Sequence, residues 1–217
     1  CDALIEAPEV AGAFVLSGEC FDHLEGVMSC AAPESTEQVR LDPESIAVIM
    51  FSSGSTGDPK GVELSHRAIL AQIVMLQEKL SLTSRDCFVN WMPMSHDFGL
   101  FQFHILPLLS GVPQVLMATD DFARHPVSWL RLIQDHRGTI TGAPNLALQM
   151  VNNLLKPQRA AQLDLNLLRC IVLGAEPLDP SVLRTFADKL KPSGFNSAAL
   201  TPAFGLAEAT LVITMAS

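Results

Sequence analysis

The chain of 217 residues is 48% apolar and 17% charged, which excludes a disordered polypeptide and supplies enough apolar material for a sizeable core. A net charge of −9 excludes a general nucleic-acid binder, which needs a basic footprint, but a loop of backbone N–H groups with one Lys can still hold an anion. Five cysteines (Cys1, Cys20, Cys30, Cys87 and Cys170) form no CxxC pair, so a zinc site has no support, and free thiols in a reducing, cytoplasmic setting are expected.

Residues 1 to 20 are apolar but open with Asp2, Glu6 and Glu9, unlike a signal peptide with its basic start. No run of about 18 residues that are both uncharged and apolar appears, so no membrane span is expected. The first residue is Cys rather than Met, so the chain is expected to be a piece of something longer. Residues 1–45 read as an irregular lead-in, with a surface connection rich in Glu, Ser and Pro at Ala31 to Pro43. From there short apolar runs alternate with helix-period segments. Ile46 to Phe51 reads as a buried strand and leads through a Ser/Gly loop to a helix capped by Ser65, with Ile69, Leu70, Ile73, Leu76 and Leu80 at helical spacing. Strands follow at Phe88 to Met92, Pro113 to Met117, Thr139 to Thr141, Leu168 to Leu173 and Ala198 to Ala203. Helices are expected at Leu100 to Leu109, around Trp129 to Ile133, at Leu146 to Leu155 and at Val182 to Leu190, the last with Asp179 or Ser181 at its start. This alternation predicts an α/β fold: a mainly parallel sheet with helices on both faces and functional loops beyond the carboxyl ends of the strands.

The loop Ser52-Ser53-Gly54-Ser55-Thr56-Gly57-Asp58-Pro59-Lys60-Gly61 is the most informative stretch. Its small residues let backbone approach a ligand, its hydroxyls and N–H groups suit an anion, and Lys60 adds a charge for outer phosphates. It is not a Walker A loop, because Pro59 stands where the second Gly belongs and Gly61 follows the Lys. The structural alternative is a surface hairpin.

Taken whole, Phe51 to Val62 resembles the phosphate-binding signature of the adenylate-forming enzymes: acyl-CoA synthetases, adenylation domains and fatty acyl-AMP ligases. The resemblance implies ATP binding, with Ser53, Gly54, Ser55, Thr56, Gly57 and Lys60 at the phosphates and Thr56 and Lys60 orienting the leaving group. Four further stretches match in family order. Trp91 to Leu100 resembles the second motif, which implies that His96 and Asp97 lie beside the acyl carboxylate and α-phosphate; a His–Asp pair after a strand is otherwise a structural pair. Gly142-Ala143-Pro144-Asn145 is an ordinary turn by composition, and by resemblance Pro144 and Asn145 border the acyl group. Gly174, Ala175 and Glu176 match the loop against adenine, although Glu176 also suits the start of the helix that follows. Thr201 to Thr210 resembles the last motif, implying Phe204 and Gly205 at adenine and Glu208 on Mg²⁺. Ala207 stands where many members carry Thr, in the Gly-Leu-Ala-Glu-Ala-Thr form typical of fatty acyl-AMP ligases.

The resemblance covers roughly residues 40 to 217, with 46–217 as a partial AMP-binding domain and no match before residue 40. It implies carboxylate plus MgATP giving acyl-adenylate and pyrophosphate, then transfer to coenzyme A or an acyl carrier protein. The apolar residues near the motifs (Phe98, Leu100, Phe101, Phe103 and Leu146) favour a fatty or aryl acid. The family's ribose-binding Asp, hinge and C-terminal domain have no counterpart here, so the isolated chain is expected to be incompetent and to need the remainder of its parent enzyme. Two rivals are a non-catalytic nucleotide-binding module and a hydrolase using Ser, His96 and Asp97; the latter lacks the G-x-S-x-G elbow.

Overall fold

A computed structural model describes residues 14–17, 42–52 and 60–216. Seven strands form one sheet in the order β1-β5-β4-β6-β7-β8-β9. They are β1 (Phe14–Ser17), β4 (Phe88–Asn90), β5 (Gln114–Met117), β6 (Ile140–Ala143), β7 (Cys170–Leu173), β8 (Leu200–Gly205) and β9 (Val212–Met215). All neighbours are parallel except β8 and β9, which are antiparallel. A separate antiparallel pair joins β2 (Ile46–Ser52) to β3 (Lys60–Ser65).

Helix α1 (His66–Lys79) starts where Ser65 accepts from the Ala68 N–H at 3.2 Å. It buries Ile69, Ile73 and Leu76 and leaves Leu70, Val74 and Met75 outside. A π-wound segment, Phe98–Ile105, runs into the short α2 (Leu106–Leu109). The remaining helices are α3 (Thr119–Arg124), α4 (Pro126–Asp135), α5 (Asn145–Leu154), α6 (Pro157–Ala160) and α7 (Pro180–Leu190).

Both faces of the sheet are covered, and β6 shows how. Adjacent residues of a strand point to opposite faces. Thr141 accepts from Trp129 Nε1 of α4 at 3.1 Å, whereas a Cβ on its neighbour Gly142 would meet the Phe103 ring of the π-segment at 2.4 Å. The strands are therefore apolar on both sides: Ile140, Ala143, Ile171, Val172 and Leu173 are completely buried. Aromatic packing fills each layer, with Phe103 edge-on to Phe88 and Phe98, and Trp129 between Phe122 and Phe186.

Three expectations need correction. Ile46 to Phe51 is not a buried strand of the main sheet: Ile46 and Ile49 are 50% exposed and Phe51 75%, and only Met50 is buried, with Ala47 and Val48 partly buried against the core. Parallel pairing needs a crossover of about a dozen residues or more, so the short link to β3 permits only an antiparallel partner. The helix at Leu100 to Leu109 starts earlier, at Phe98, and its first eight residues are π-wound. Within the lead-in, Phe14–Ser17 forms a parallel strand in register with Gln114 to Met117.

At the amino ends of β4, β6 and β7 one carboxylate ties the strands together. Asp86 Oδ1 accepts from Thr139 Oγ1 and Arg169 Nε, both at 2.7 Å, and Oδ2 accepts from the Thr83 N–H at 2.9 Å. Burial pushes this carboxyl up, but the bonds from Arg169, Thr139 and Thr83 outweigh it and hold the pKa at about 2.

Candidate active site

The chain leaves β4 towards β5 on one side and continues to β6, β7 and β8 on the other. The crevice at such a reversal, beyond the carboxyl ends, is where open α/β sheets hold ligands. The loops that follow β4, β6, β7 and β8 carry the sequence motifs.

After β4, Asn90 fixes the loop twice: its Oδ1 accepts from the Met92 N–H at 2.9 Å and its Nδ2 donates to the Met92 carbonyl at 3.1 Å. Gly99 then lets the π-segment close on this loop, since a Cβ there would lie 2.1 Å from the Pro93 carbonyl oxygen. Asp97 caps that segment by accepting from the Phe98 N–H at 2.6 Å, and the same oxygen lies 2.7 Å from His96 Nδ1. Nδ1 is taken up by Asp97 and also lies 3.2 Å from the Phe98 N–H, so Nε2 is the nitrogen left for a ligand, and the ring is half exposed. The bond to Asp97 raises the His96 pKa, and partial burial opposes it.

After β6, Pro144 precedes α5 without capping it, and the chain supplies a cap from the next loop instead. Glu176 Oε1 accepts from the Leu146 N–H at 2.6 Å. Glu176 is thus engaged with α5 rather than with the helix that follows it. In return Asn145 Oδ1 accepts from the Asp179 N–H at 2.9 Å. Between these, Gly174 is buried and Ala175 takes a left-handed backbone, φ +70°.

After β8, Phe204 is 62% exposed although it is a large aromatic, and Glu208 sits exposed on a single turn, Ala207–Ala209. Gly205 is required where β8 turns back, because a Cβ would lie 1.7 Å from the Leu211 carbonyl oxygen. Gln72 of α1 anchors this turn by donating to the Ala209 and Val212 carbonyls, each at 3.2 Å. Strand β3 also lies against it. The hairpin that begins with Lys60 and the turn bearing Glu208 are therefore neighbours.

Ser53, Gly54, Ser55, Thr56 and Gly57 lie outside the described residues. Lys60 is exposed and pairs across the hairpin with Ser52. Among the described residues no group of three or more His, Cys, Asp or Glu side chains could hold a metal by itself. Glu208, with no partner among them, fits the lone-carboxylate pattern of Mg²⁺ sites completed by phosphate oxygens. Asn90, Gly99 and Gln72 shape these loops and are absent from the motif residues read from the sequence. The short reach from Asn90 to Met92 is a local signal; the approach of Gly99 to Pro93 and the bonds of Gln72 have none. A surface groove of about 570 Å³ runs along α1 between Pro43 and Glu78, and none of the motif residues lines it.

The model of the AMP-binding enzyme family matches residues 5–217, so the match begins well before the residue 40 expected from the motifs. A medium-chain-fatty-acid–acyl-carrier-protein ligase of Moorena producens is 34% identical over 203 residues, covering 92% of this chain and 34% of the relative. A 4-hydroxyphenylalkanoate adenylyltransferase of Mycobacterium tuberculosis is 33% identical, covering 87% of this chain and 31% of the relative. A fatty acyl-adenylate ligase from Legionella pneumophila, solved with acyl adenylate and pyrophosphate, superposes with a TM-score of 0.79 at 31% identity over 82% of this chain and 32% of that one. The chain spans about a third of the length of these relatives.

Proposed function

Because the chain belongs to the AMP-binding enzyme family, we propose that it carries the nucleotide- and carboxylate-handling loops of a ligase that activates a fatty or aryl acid as its acyl-adenylate. The observation that carries the reading is positional. The loops after β4, β6, β7 and β8, which bear the motifs in order, all open at the carboxyl ends of strands on either side of the reversal in the sheet.

A carboxylate is a poor acyl donor because its leaving group would be oxide; the mixed anhydride with AMP replaces oxide by a good leaving group. The oxygen of the carboxylate attacks the α-phosphorus of ATP, and the bond to pyrophosphate breaks. The protein's share is to position the two anions and to stabilise charge as it builds. His96 presents Nε2, and its Asp97-raised pKa favours a cation where carboxylate meets α-phosphate. Lys60 offers an exposed charge at the start of β3, and Thr56 a hydroxyl in the loop before it, for the departing phosphates. Phe204 offers a free ring face for adenine. Glu208 would hold Mg²⁺, whose charge offsets that of the phosphates. Of the apolar residues near the motifs, Phe98, Phe101 and Phe103 are buried in the core, and Leu146 at the start of α5 and the partly exposed Leu100 remain to favour an uncharged acyl chain. The acyl group then passes to a thiol, either coenzyme A or a carrier-protein phosphopantetheine; the names of the ligase relatives support the latter.

The test is carboxylate-dependent ATP–pyrophosphate exchange by the full-length protein, screened over fatty, aryl and amino acids. Exchange with fatty or aryl acids is expected. Nucleotide binding with no exchange for any acid would point instead to a non-catalytic module.

A further inference from the structure

We propose that Glu176 and Asn145 are positioning residues that lace the loop after β6 to the loop after β7, so that the two move as one platform. This rests on the reading above, in which the first loop borders the acyl group and the second the nucleotide.

Two bonds cross between the loops in opposite senses. Glu176, on the β7 loop, accepts from the Leu146 N–H at the start of α5; Asn145, on the β6 loop, accepts from the Asp179 N–H just before α7. Each partner fills a need the other loop leaves open. Helix α5 has no side-chain cap of its own, because Pro144 precedes it, so the Leu146 N–H would otherwise face water alone. A carboxylate there also meets the positive end of the helix. Asp179 spends its side chain on the Ser181 N–H, and its own backbone N–H goes to Asn145. The left-handed turn at Ala175 falls one residue before Glu176, where the loop folds back towards α5.

Behind the loops, the same two helices stay joined along their length. Asn152 Nδ2 of α5 donates to the Val182 carbonyl of α7 at 3.0 Å, and Lys189 of α7 donates to the Asn152 carbonyl. With one carboxylate oxygen committed to Leu146, Glu176 acts on the nucleotide through the loop it holds. Its effect should therefore reach the acyl side, and that of Asn145 should reach the nucleotide side.

The experiment compares Glu176→Ala, Glu176→Gln, Asn145→Ala and the Glu176→Ala/Asn145→Ala double variant in the full-length protein. Each alanine variant should raise the KM for both MgATP and the carboxylate by roughly threefold or more, with a smaller change in kcat. The double variant should be no worse than the worse single one. Glu176→Gln keeps an acceptor oxygen and should recover most of the loss. Amide hydrogen exchange on the same proteins should be about tenfold faster at Leu146 in Glu176→Ala and at Asp179 in Asn145→Ala. If Glu176→Ala moves only the KM for MgATP and Asn145→Ala only that for the carboxylate, or if the effects add, the residues act on their own ligands and the lacing is overturned. If no acid supports exchange in the parent, the functional reading falls, and amide protection unchanged by the variants overturns the lacing separately.

Discussion

At the scale of single residues, Asp97 does two things with one oxygen: it caps the π-segment and holds His96 Nδ1. Asp97→Asn separates them. An Asn oxygen still caps the Phe98 N–H, but the charge beside the imidazole is gone. The His96 pKa, now raised, should fall back towards 6.5, read by NMR titration of the ring. The sign of the stability effect follows. A raised folded pKa stabilises below the unfolded value, and that contribution is lost as pH rises through the folded one. The variant should thus unfold more easily than the parent only on the acid side; a His96 titration that does not move would mean that Asp97 is a cap alone. Two exposed residues make a second prediction. Phe204→Ala should weaken nucleotide binding several-fold with little change in melting temperature, because the ring buries little against the protein. Glu208→Gln should raise the Mg²⁺ concentration for half-maximal activity by about tenfold, the worth of one charge-assisted contact. An unchanged Mg²⁺ titration would make Glu208 a bystander on its turn.

At the scale of elements, the amino and carboxyl ends of the sheet have different jobs. The Asp86 clamp holds the amino ends of β4, β6 and β7, away from the motif loops. Its carboxyl is lowered from 3.8 to about 2, so the stability it contributes is present above pH ~4 and disappears as pH falls towards 2. Lowering the carboxyl from 3.8 to about 2 corresponds to about 2 kcal/mol. Asp86→Asn should cost about that much in urea denaturation at pH 7 and nothing near pH 2, with motif-loop geometry untouched; equal losses at both pH values would show a packing effect instead. The strands that this clamp joins were legible in the sequence. β4 and β7 are short, mainly apolar runs stopped by Pro93 and Gly174, and residues buried on both faces leave a continuous run rather than an alternating one; β6, Ile-Thr-Gly-Ala, was marked by β-branched residues before the turn at Pro144. The same signal misled at Ile46 to Phe51, because an apolar run does not reveal whether its second face is covered. Strand β1 is as long as β5, β6 and β7 but was not legible, because its parallel partner Gln114–Met117 lies far along the chain and leaves no local pairing signal. The π-winding of Phe98–Ile105 has no counterpart in apolar periodicity, and Gly99 there packs against the Pro93 carbonyl. Motif positions at strand ends were legible too. The Glu176–Leu146 and Asn145–Asp179 bonds were not, since their partners stand 30 and 34 residues apart and have no pairing signature.

For the whole molecule, the question is whether residues 1–217 suffice for turnover. Within the described residues the loops after β4, β6, β7 and β8 are held by internal bonds, and the Glu208 turn is anchored by α1. Nucleotide affinity should therefore survive in the chain alone. Turnover asks for more. Water must be kept from the developing anhydride, and the two anions must be held in line; such positioning supplies about 7–11 kcal/mol of a barrier. Around the hairpin and α1, large apolar side chains stay open to solvent, among them Phe51, Leu70 and Val74. Scattered exposed residues are ordinary, but a contiguous apolar strip along a helix marks a surface built to be covered. The relatives that the chain matches are about three times its length. The expectation is that residues 1–217, supplied with MgATP and a panel of fatty and aryl acids, bind nucleotide by calorimetry yet form acyl-adenylate at least about a thousandfold more slowly than a full-length ligase of the family, as loss of a few kcal/mol of positioning requires. Acyl-adenylate detected by mass spectrometry at a rate near that ligase's would show that these strand-end loops are sufficient, and that positioning by further segments contributes little to the chemistry.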